Sequence, residues 1–183
     1  MKKIKRKIHV IGLNSFKIED LSLEIQDLFY KVKNIAAPVK YINEIKEWVS
    51  IKLVNEKNFY ESKSDLNLIN WLKSNDNDVI LISRGDPLWF GIGRILLNSF
   101  SKEELLFYPG KTSLQLAFSR LKKSWQDVKA ISIHGRETTE LIKSLKLKEE
   151  GIGILTDPNN NNLELIRQNL KELNLENIYE FWL

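Results

Sequence analysis

Four short stretches of this 183-residue chain place glycine, proline, hydroxyl or histidine residues directly after an apolar run. They are Ser83-Arg-Gly-Asp-Pro87, Tyr108-Pro-Gly-Lys-Thr-Ser113, Ile133-His-Gly-Arg-Glu137 and Leu155-Thr-Asp-Pro-Asn159. If the apolar runs are parallel strands, these stretches stand at carboxyl ends, where open α/β sheets bind small molecules. Glycine there lets a ligand meet bare backbone amides, and a following helix N-terminus favours anionic oxygens such as a carboxylate. Each stretch also has a plainer reading. Asp86 suits a helix N-cap with Pro87 as the first helical residue, and Asp157-Pro158 repeats the pattern. Pro109-Gly110 is ordinary turn chemistry, and His134 beside a glycine suits a surface turn. Neither GxGxxG nor GxxxxGK[ST] occurs, so a dinucleotide fingerprint and a P-loop are both missing. With no Ser-His-Asp set and no carboxylate pair signalled, hydrolysis is poorly supported. The residues alone describe a small-molecule-binding α/β protein of unspecified reaction.

Composition narrows the field. The chain has no cysteine and two histidines, His9 and His134. Disulfides, thiolate metal sites and cysteine nucleophiles are excluded, and no metal site is expected. A hydrophobic content of 43% with 28% charged residues is globular. The formal charge is +4, and much of the excess sits in the opening MKKIKRK. We read that stretch as a solvated N-terminus. Beyond it lysines and acids interleave, with no basic stripe carrying stacked aromatics, so no nucleic-acid partner is expected. The run IHVIGL ends at Asn14 without a cleavage site, and no segment approaches the ~18 apolar residues of a membrane span. A soluble, cytoplasmic protein without membrane partners is the expectation.

The elements that would position these stretches alternate along the chain. The pattern predicts a strand over Ile8–Ile11 turning at Gly12, a helix from about Leu21 to Lys33, and a strand over 34–37. Pro38 opens a helix towards Trp48, residues 50–63 carry no clear pattern, and Ser64 or Asp65 caps a helix placing Leu66, Ile69, Trp71 and Leu72 on one face. A strand over Val79–Ser83 precedes a helix from Leu88 to about Asn98, Ser101 and Glu104 form a possible capping box, and Leu105–Tyr108 is a strand. Then come a helix through Leu114, Leu116, Ala117, Phe118 and Leu121, a strand over Lys129–Ile133, a helix to about Leu145, and a strand over Ile152–Thr156. Asn162 caps a helix over Leu163–Leu173, and a last strand covers Ile178–Trp182. Such alternation predicts an α/β fold with largely parallel sheets. A boundary at Tyr108-Pro109-Gly110 divides an N-terminal α/β domain, residues 1–107, from a C-terminal one, residues 108–183.

The ordered blocks VILISRGDPLWFGIGRILL, YPGKTSLQLAFSRLKKSWQDVKAISIHGRE and GIGILTDPN resemble the tetrapyrrole methylase family. The likeness is greatest to the branch that methylates C5 of a corrin-ring precursor, precorrin-7, in cobalamin biosynthesis. It spans most of residues 8 to 182. The resemblance implies the tetrapyrrole methylase fold, two α/β domains with a ligand cleft between them holding S-adenosylmethionine. It also implies a homodimer, a corrinoid substrate and, in some organisms, a separate decarboxylating subunit that methylates C15. By the same resemblance Gly85 and Asp86 line the methyl-donor site, Pro87 shapes the turn and Trp89 lies near it. Thr112 and Ser113 match the hydroxyl pair after Pro-Gly that contacts the donor. His134 and Gly135 end the strand against the donor's other side, and Thr156 borders the same cleft. No residue is assigned as a general base.

Three features depart from the family pattern. Its first loop reads GxGPG, whereas this chain has Gly12-Leu-Asn-Ser-Phe16, and Asn14, Ser15 and Phe16 add bulk on the expected substrate side. Arg84 and Lys111 stand where small or apolar residues are usual, as greeters of substrate carboxylates or as blocks to the donor. The third is an expected lack of the segment that in relatives completes the second sheet. An alternative expectation is therefore a non-catalytic relative that binds tetrapyrrole or donor. A third is an RNA-directed methyltransferase on the same fold, prompted by the basic N-terminus.

Overall fold

A computed structural model describes residues 6–52, 56–135, 137–157 and 161–183. The opening residues 1–5, Arg136, Pro158 and Asn159, named above, lie outside the described residues. The chain forms two compact units, Met1–Thr112 and Ser113–Leu183.

The first unit holds β1 (Ile8–Leu13), one 3-10 turn (Ile18–Asp20), α1 (Leu23–Lys31), β2 (Asn34–Ala37), α2 (Val39–Lys52), β3 (Asn58–Glu61), α3 (Asp65–Ser74), β4 (Val79–Arg84), α4 (Gly93–Ser99) and β5 (Leu105–Tyr108). Its sheet is entirely parallel in the order β3-β2-β4-β1-β5. Strands covered on both faces are largely apolar, which is why VILI reads as an unbroken run and IHVIGL is broken only by the buried His9. Alternate side chains serve opposite layers. Ile11, Leu13, Ile35, Ala37, Ile80 and Ile82 pack with Phe29, Tyr41, Ile45 and Trp48 from α1 and α2. Ile8, Val10, Ala36, Val79 and Leu81 pack with Leu68, Ile69 and Leu72 of α3 and Leu96 of α4.

Local sequence differs from these elements in instructive places. The strand β1 runs through Gly12 to Leu13 rather than turning there. In place of a helix from Leu21, α1 starts at Leu23 because Ser22 caps it, accepting from Ile25 N. Leu66 lies exposed while Leu68 fills the inner face of α3. β3 falls in the stretch without a pattern; it is an edge strand that pairs with β2 alone, so NFYE needs no continuous apolar run. Just before it, the buried Lys57 Nζ donates to the carbonyls of Tyr30 and Val32 at 3.0 and 2.9 Å. Those oxygens end α1, where a cation meets the negative end of the helix dipole. Burial pushes the Lys57 ammonium below its ordinary range, with Lys33 adding to the effect.

His9 is 6% exposed in β1, its Nδ1 lying 3.2 Å from Tyr108 Oη. Burial raises the Tyr108 phenol above its ordinary range, and the nearby Glu24 carboxylate adds to the rise. Burial lowers the His9 pKa below 6.5, outweighing the upward pulls of Asp78 and Glu24, and Lys7 lowers it further. A depressed imidazole means that the unfolded chain takes up the proton first as pH falls. Stability is therefore full above pH 6.5 and declines as the pH drops from there towards the folded value. Urea melts at pH 7.5 and 5.5 should show the loss, and His9→Phe should flatten it; an unchanged slope in the variant would remove His9 as the cause.

The second unit holds α5 (Ser113–Leu121), β6 (Val128–Ser132), α6 (Thr139–Lys146), β7 (Gly151–Leu155) and α7 (Asn162–Glu172). β6 and β7 pair in parallel, and Ile131, Ile133, Leu141, Leu145, Ile166, Leu170 and Leu175 form the core. Residues 178–182 form no strand, although Ile178, Tyr179 and Phe181 are strand-favouring types. A strand needs a ladder partner, and among the described residues this segment has none; Tyr179 Oη instead donates to Glu149 O at 2.9 Å. Asn162 is likewise no cap. Asn161 holds that place, while the Asn162 Oδ1, buried, accepts from Asp157 N at 2.6 Å.

Candidate functional site

Because β4, β1 and β5 are neighbours and parallel, their carboxyl ends emerge side by side. The ladder extends one step past β4, with Gly85 N donating to Leu13 O at 3.0 Å. Beyond it three glycines meet. A Cβ on Gly12 would overlap the Gly85 carbonyl oxygen and stand 2.6 Å from Gly110 N. One on Gly110 would stand 2.5 Å from Gly12 O and 2.8 Å from Gly85 O. Gly12 and Gly110 are therefore glycines because three backbones touch there. Gly85 has a different reason: its φ is +59°, a conformation L side chains avoid. A Cβ there would also crowd Lys111 O at 3.3 Å.

After Gly85 the chain forms a compact turn, not the expected helix start. Asp86 does not cap a helix at Pro87; its Oδ1 accepts from Leu88 N at 2.8 Å, and Trp89 N donates to Asp86 O at 3.1 Å. Gly91 and Gly93 wrap around the Pro87 carbonyl, which accepts from Gly93 N at 2.8 Å. Phe90 takes a φ of +53°, and the half-buried Trp89 packs edge-on against it. Only then can α4 begin, at Gly93 rather than Leu88. The glycines after Asp86 thus serve the turn itself.

The first loop is anchored to the rest of the first unit. Phe16, 9% exposed, points into the core, edge-on to Phe29 and Trp48 at 5.2 and 6.1 Å between ring centres. Asn14 Nδ2 donates to Lys111 O at 2.9 Å, and Tyr41 Oη donates to Leu13 O at 3.0 Å. Burial raises the Tyr41 pKa, with Arg84 pulling it down and Glu44 adding to the rise. Ser83 Oγ, next to last in β4, is buried with no hydrogen-bond partner. Thr112, also buried, lies against Gly85, its Cα 3.7 Å from the position a Cβ would take.

Of the expected site residues, Gly85, Asp86, Pro87, Trp89 and Thr112 thus belong to the first unit, with Thr112 brought beside Gly85. Ser113, His134, Gly135 and Thr156 belong to the second. There Ile133 N donates to Leu155 O at 2.9 Å, so His134-Gly135 and Thr156 leave β6 and β7 together. His134 Nδ1 lies 3.7 Å from Asp157 Oδ2. Gly135 has a φ of +59° and nothing within 4 Å of a Cβ position. Ser113 opens α5 and is exposed. Sequence reasoning did not pick out Tyr41, and it named Gly12, Gly110 and Asn14 without the contacts that join them. The signal was present for the glycines, each ending or following an apolar run, but the crowding between them belongs to the sheet order.

The family model "Tetrapyrrole (Corrin/Porphyrin) Methylases" matches residues 9–180. The chain is 27% identical over 128 residues to a precorrin-6Y C(5,15)-methyltransferase [decarboxylating] from Sinorhizobium sp, covering 69% of this chain and 30% of that protein. It is 35% identical over 104 residues to a probable cobalt-precorrin-7 C(5)-methyltransferase from Methanocaldococcus jannaschii, covering 51% of this chain and 48% of that one. The chain thus spans less than half the length of either relative. Among solved structures, the methyltransferase CobJ superposes with a TM-score of 0.69 at 15% identity, covering 91% of this chain and 76% of that one. The cobalamin biosynthesis precorrin-6Y methylase (cbiE) from Archaeoglobus fulgidus gives 0.53 at 22% identity, covering 75% and 68%. These two likenesses show the fold. Tetrapyrrole methylases are S-adenosylmethionine-dependent methyltransferases. No helix among the described residues is long and apolar enough to cross a membrane. With the family model matched from His9 to Glu180 and the parallel α/β units in place, the chain belongs to the tetrapyrrole methylase family.

Proposed function

We propose that this chain transfers a methyl group from S-adenosylmethionine to C5 of a corrin-ring precursor of the precorrin-7 type, in cobalamin biosynthesis. The observation that carries the reading is the 35% identity over 104 residues to a protein named for that C5 methylation. The carboxyl edge of the first sheet fits the donor. Gly85 presents backbone without a side chain, the Ser83 hydroxyl is buried and unpartnered, and Thr112 is buried beside Gly85. The donor, when bound, supplies a methyl already activated by positive sulfur. The protein's share is then placement and electrostatics. Gly85, Asp86, Pro87, Trp89 and Thr112 are the proposed donor contacts of the first unit, and Ser113, His134, Gly135 and Thr156 those of the second. A homodimer is part of the proposal, as is a separate subunit for decarboxylation and C15 methylation.

Calorimetric titration with S-adenosylhomocysteine tests the donor site. Saturable one-to-one binding is expected, with Gly85→Trp, its folding checked by circular dichroism, losing it. Incubation with precorrin-7 and donor should then give a C5-methylated product. A folded wild-type protein that binds no S-adenosylhomocysteine would overturn the proposal.

A further inference from the structure

We propose that His134 is the base of the methyl transfer, its Nε2 taking up the proton that the methylated carbon releases, and that Asp157 is the residue which positions its ring. The inference rests on the function proposed above, in which His134 meets the ligands from the second unit. β6 ends at Ser132 and β7 at Leu155, and the parallel register pairs those two residues. His134 and Asp157 follow their strand ends at the same distance, so they leave the sheet side by side. His134 Nδ1 lies 3.7 Å from Asp157 Oδ2. That gap is within ion-pair reach and looser than a hydrogen bond, a spacing common in catalytic pairs before a ligand is bound.

The two members of the pair differ in what surrounds them. The Asp157 side chain is 19% exposed, and its backbone is pinned where Asp157 N donates to the buried Asn162 Oδ1 at 2.6 Å, at the start of α7. The imidazole is 59% exposed, and beside it nothing lies within 4 Å of the Gly135 Cβ position. The carboxylate is thus held from behind while the ring faces open space. An exposed ion pair adds at most about 1 kcal/mol to stability. What this one fixes is the tautomer. An ionised carboxylate only accepts, so the nitrogen facing it carries the hydrogen and Nε2, on the far side of the ring, keeps its lone pair. The other histidine, His9, is buried within β1 and has no such exposure.

Methylation of a ring carbon that bears hydrogen leaves a proton to be removed. The carbon's electron pair forms the new bond to the methyl group, and the sulfur–methyl bond breaks with its pair staying on sulfur. The ring is then cationic. Its carbon–hydrogen pair returns to the ring as Nε2 takes the proton, and the Asp157 carboxylate stabilises the imidazolium that results.

The test combines three measurements on the full chain, with folding of each variant checked by circular dichroism. Long-range proton–nitrogen NMR of the 15N-labelled wild type at pH 8, where an ordinary imidazole is neutral, should show the Nδ1–H tautomer. The ring signals are assigned by their loss in His134→Gln, and Asp157→Asn should revert the ring to Nε2–H. Methyl transfer to precorrin-7 should lose about a hundredfold or more in kcat in His134→Gln, the lower end of what general-base catalysis contributes. Asp157→Asn should lose about tenfold in kcat with KM unchanged, the scale of one charged hydrogen bond, and Asp157→Glu should recover part of it. S-Adenosylhomocysteine affinity should be unaltered in Asp157→Asn. An Nε2–H tautomer in the wild type overturns the role of Asp157. A loss in His134→Gln confined to S-adenosylhomocysteine affinity and KM overturns the base in favour of a binding contact. An active wild type matched in kcat by His134→Gln removes the base alone, whereas a folded wild type without methyl transfer removes the base and the proposed function together.

Discussion

Gly12→Ala is expected to destabilise the first unit by about 3 kcal/mol or more, the upper end of what overpacking costs. The added methyl would overlap the Gly85 carbonyl oxygen and press on Gly110 N, and both obstacles are backbone. A side chain could rotate away; two strand ends tied into one ladder cannot. S-Adenosylhomocysteine affinity should fall with it, since the three loop backbones must separate. Gly135→Ala is the control, because nothing lies within 4 Å of its Cβ position. Its only penalty is the positive φ, roughly 1–2 kcal/mol. Chemical denaturation of the two variants decides the matter. A smaller loss for Gly12→Ala than for Gly135→Ala would show that the strand ends are not in contact.

Phe16→Ala should cost roughly 3–5 kcal/mol, the usual penalty for removing a buried aromatic ring. Its ring meets Phe29 and Trp48 edge-on, inside the layer that α1 and α2 make against the sheet. For Phe16 this replaces the expectation of added bulk on the substrate side, because its ring is spent in the core. Asn14→Ala should be milder, about 1 kcal/mol, because it removes a single hydrogen bond to Lys111 O. Denaturation of each variant beside a methyl-transfer assay separates the roles. Loss of stability without gain of activity is expected for Phe16→Ala. Unchanged stability with raised turnover would make Phe16 a gate rather than a core residue.

The strands covered on both faces were legible because two-sided burial writes itself as IHVI, NIAA and VILI, and β5 was found between its capping box and Pro109-Gly110. What failed to show were properties decided by neighbours. The edge strand β3 borrows its register from β2 and needs few apolar residues. The segment after Ile178 has strand-favouring side chains but no described partner to pair with. Asp86-Pro87 carries a helix-start signature, yet two glycines close around the Pro87 carbonyl and delay α4 to Gly93. The site was legible as a set of strand ends, and its contents were not. Gly12 and Gly110 acquire their meaning only when β5 lies beside β1, and Phe16 only when α1 and α2 supply the rings it meets.

The strand order has a consequence for how the chain is made. Ile8 pairs with Val79 and Leu105, residues that leave the ribosome long after it. At about 5–20 residues per second, β1 waits on the order of 5–20 s for its second neighbour. Until Val79 has emerged this largely apolar segment has neither of its permanent neighbours, and until Leu105 it has only one. Synthesis of this protein therefore includes an interval in which β1, an interior strand of the finished sheet between β4 and β5, is its most aggregation-prone segment, and holding of the nascent chain should matter more for β1 than for its two later neighbours.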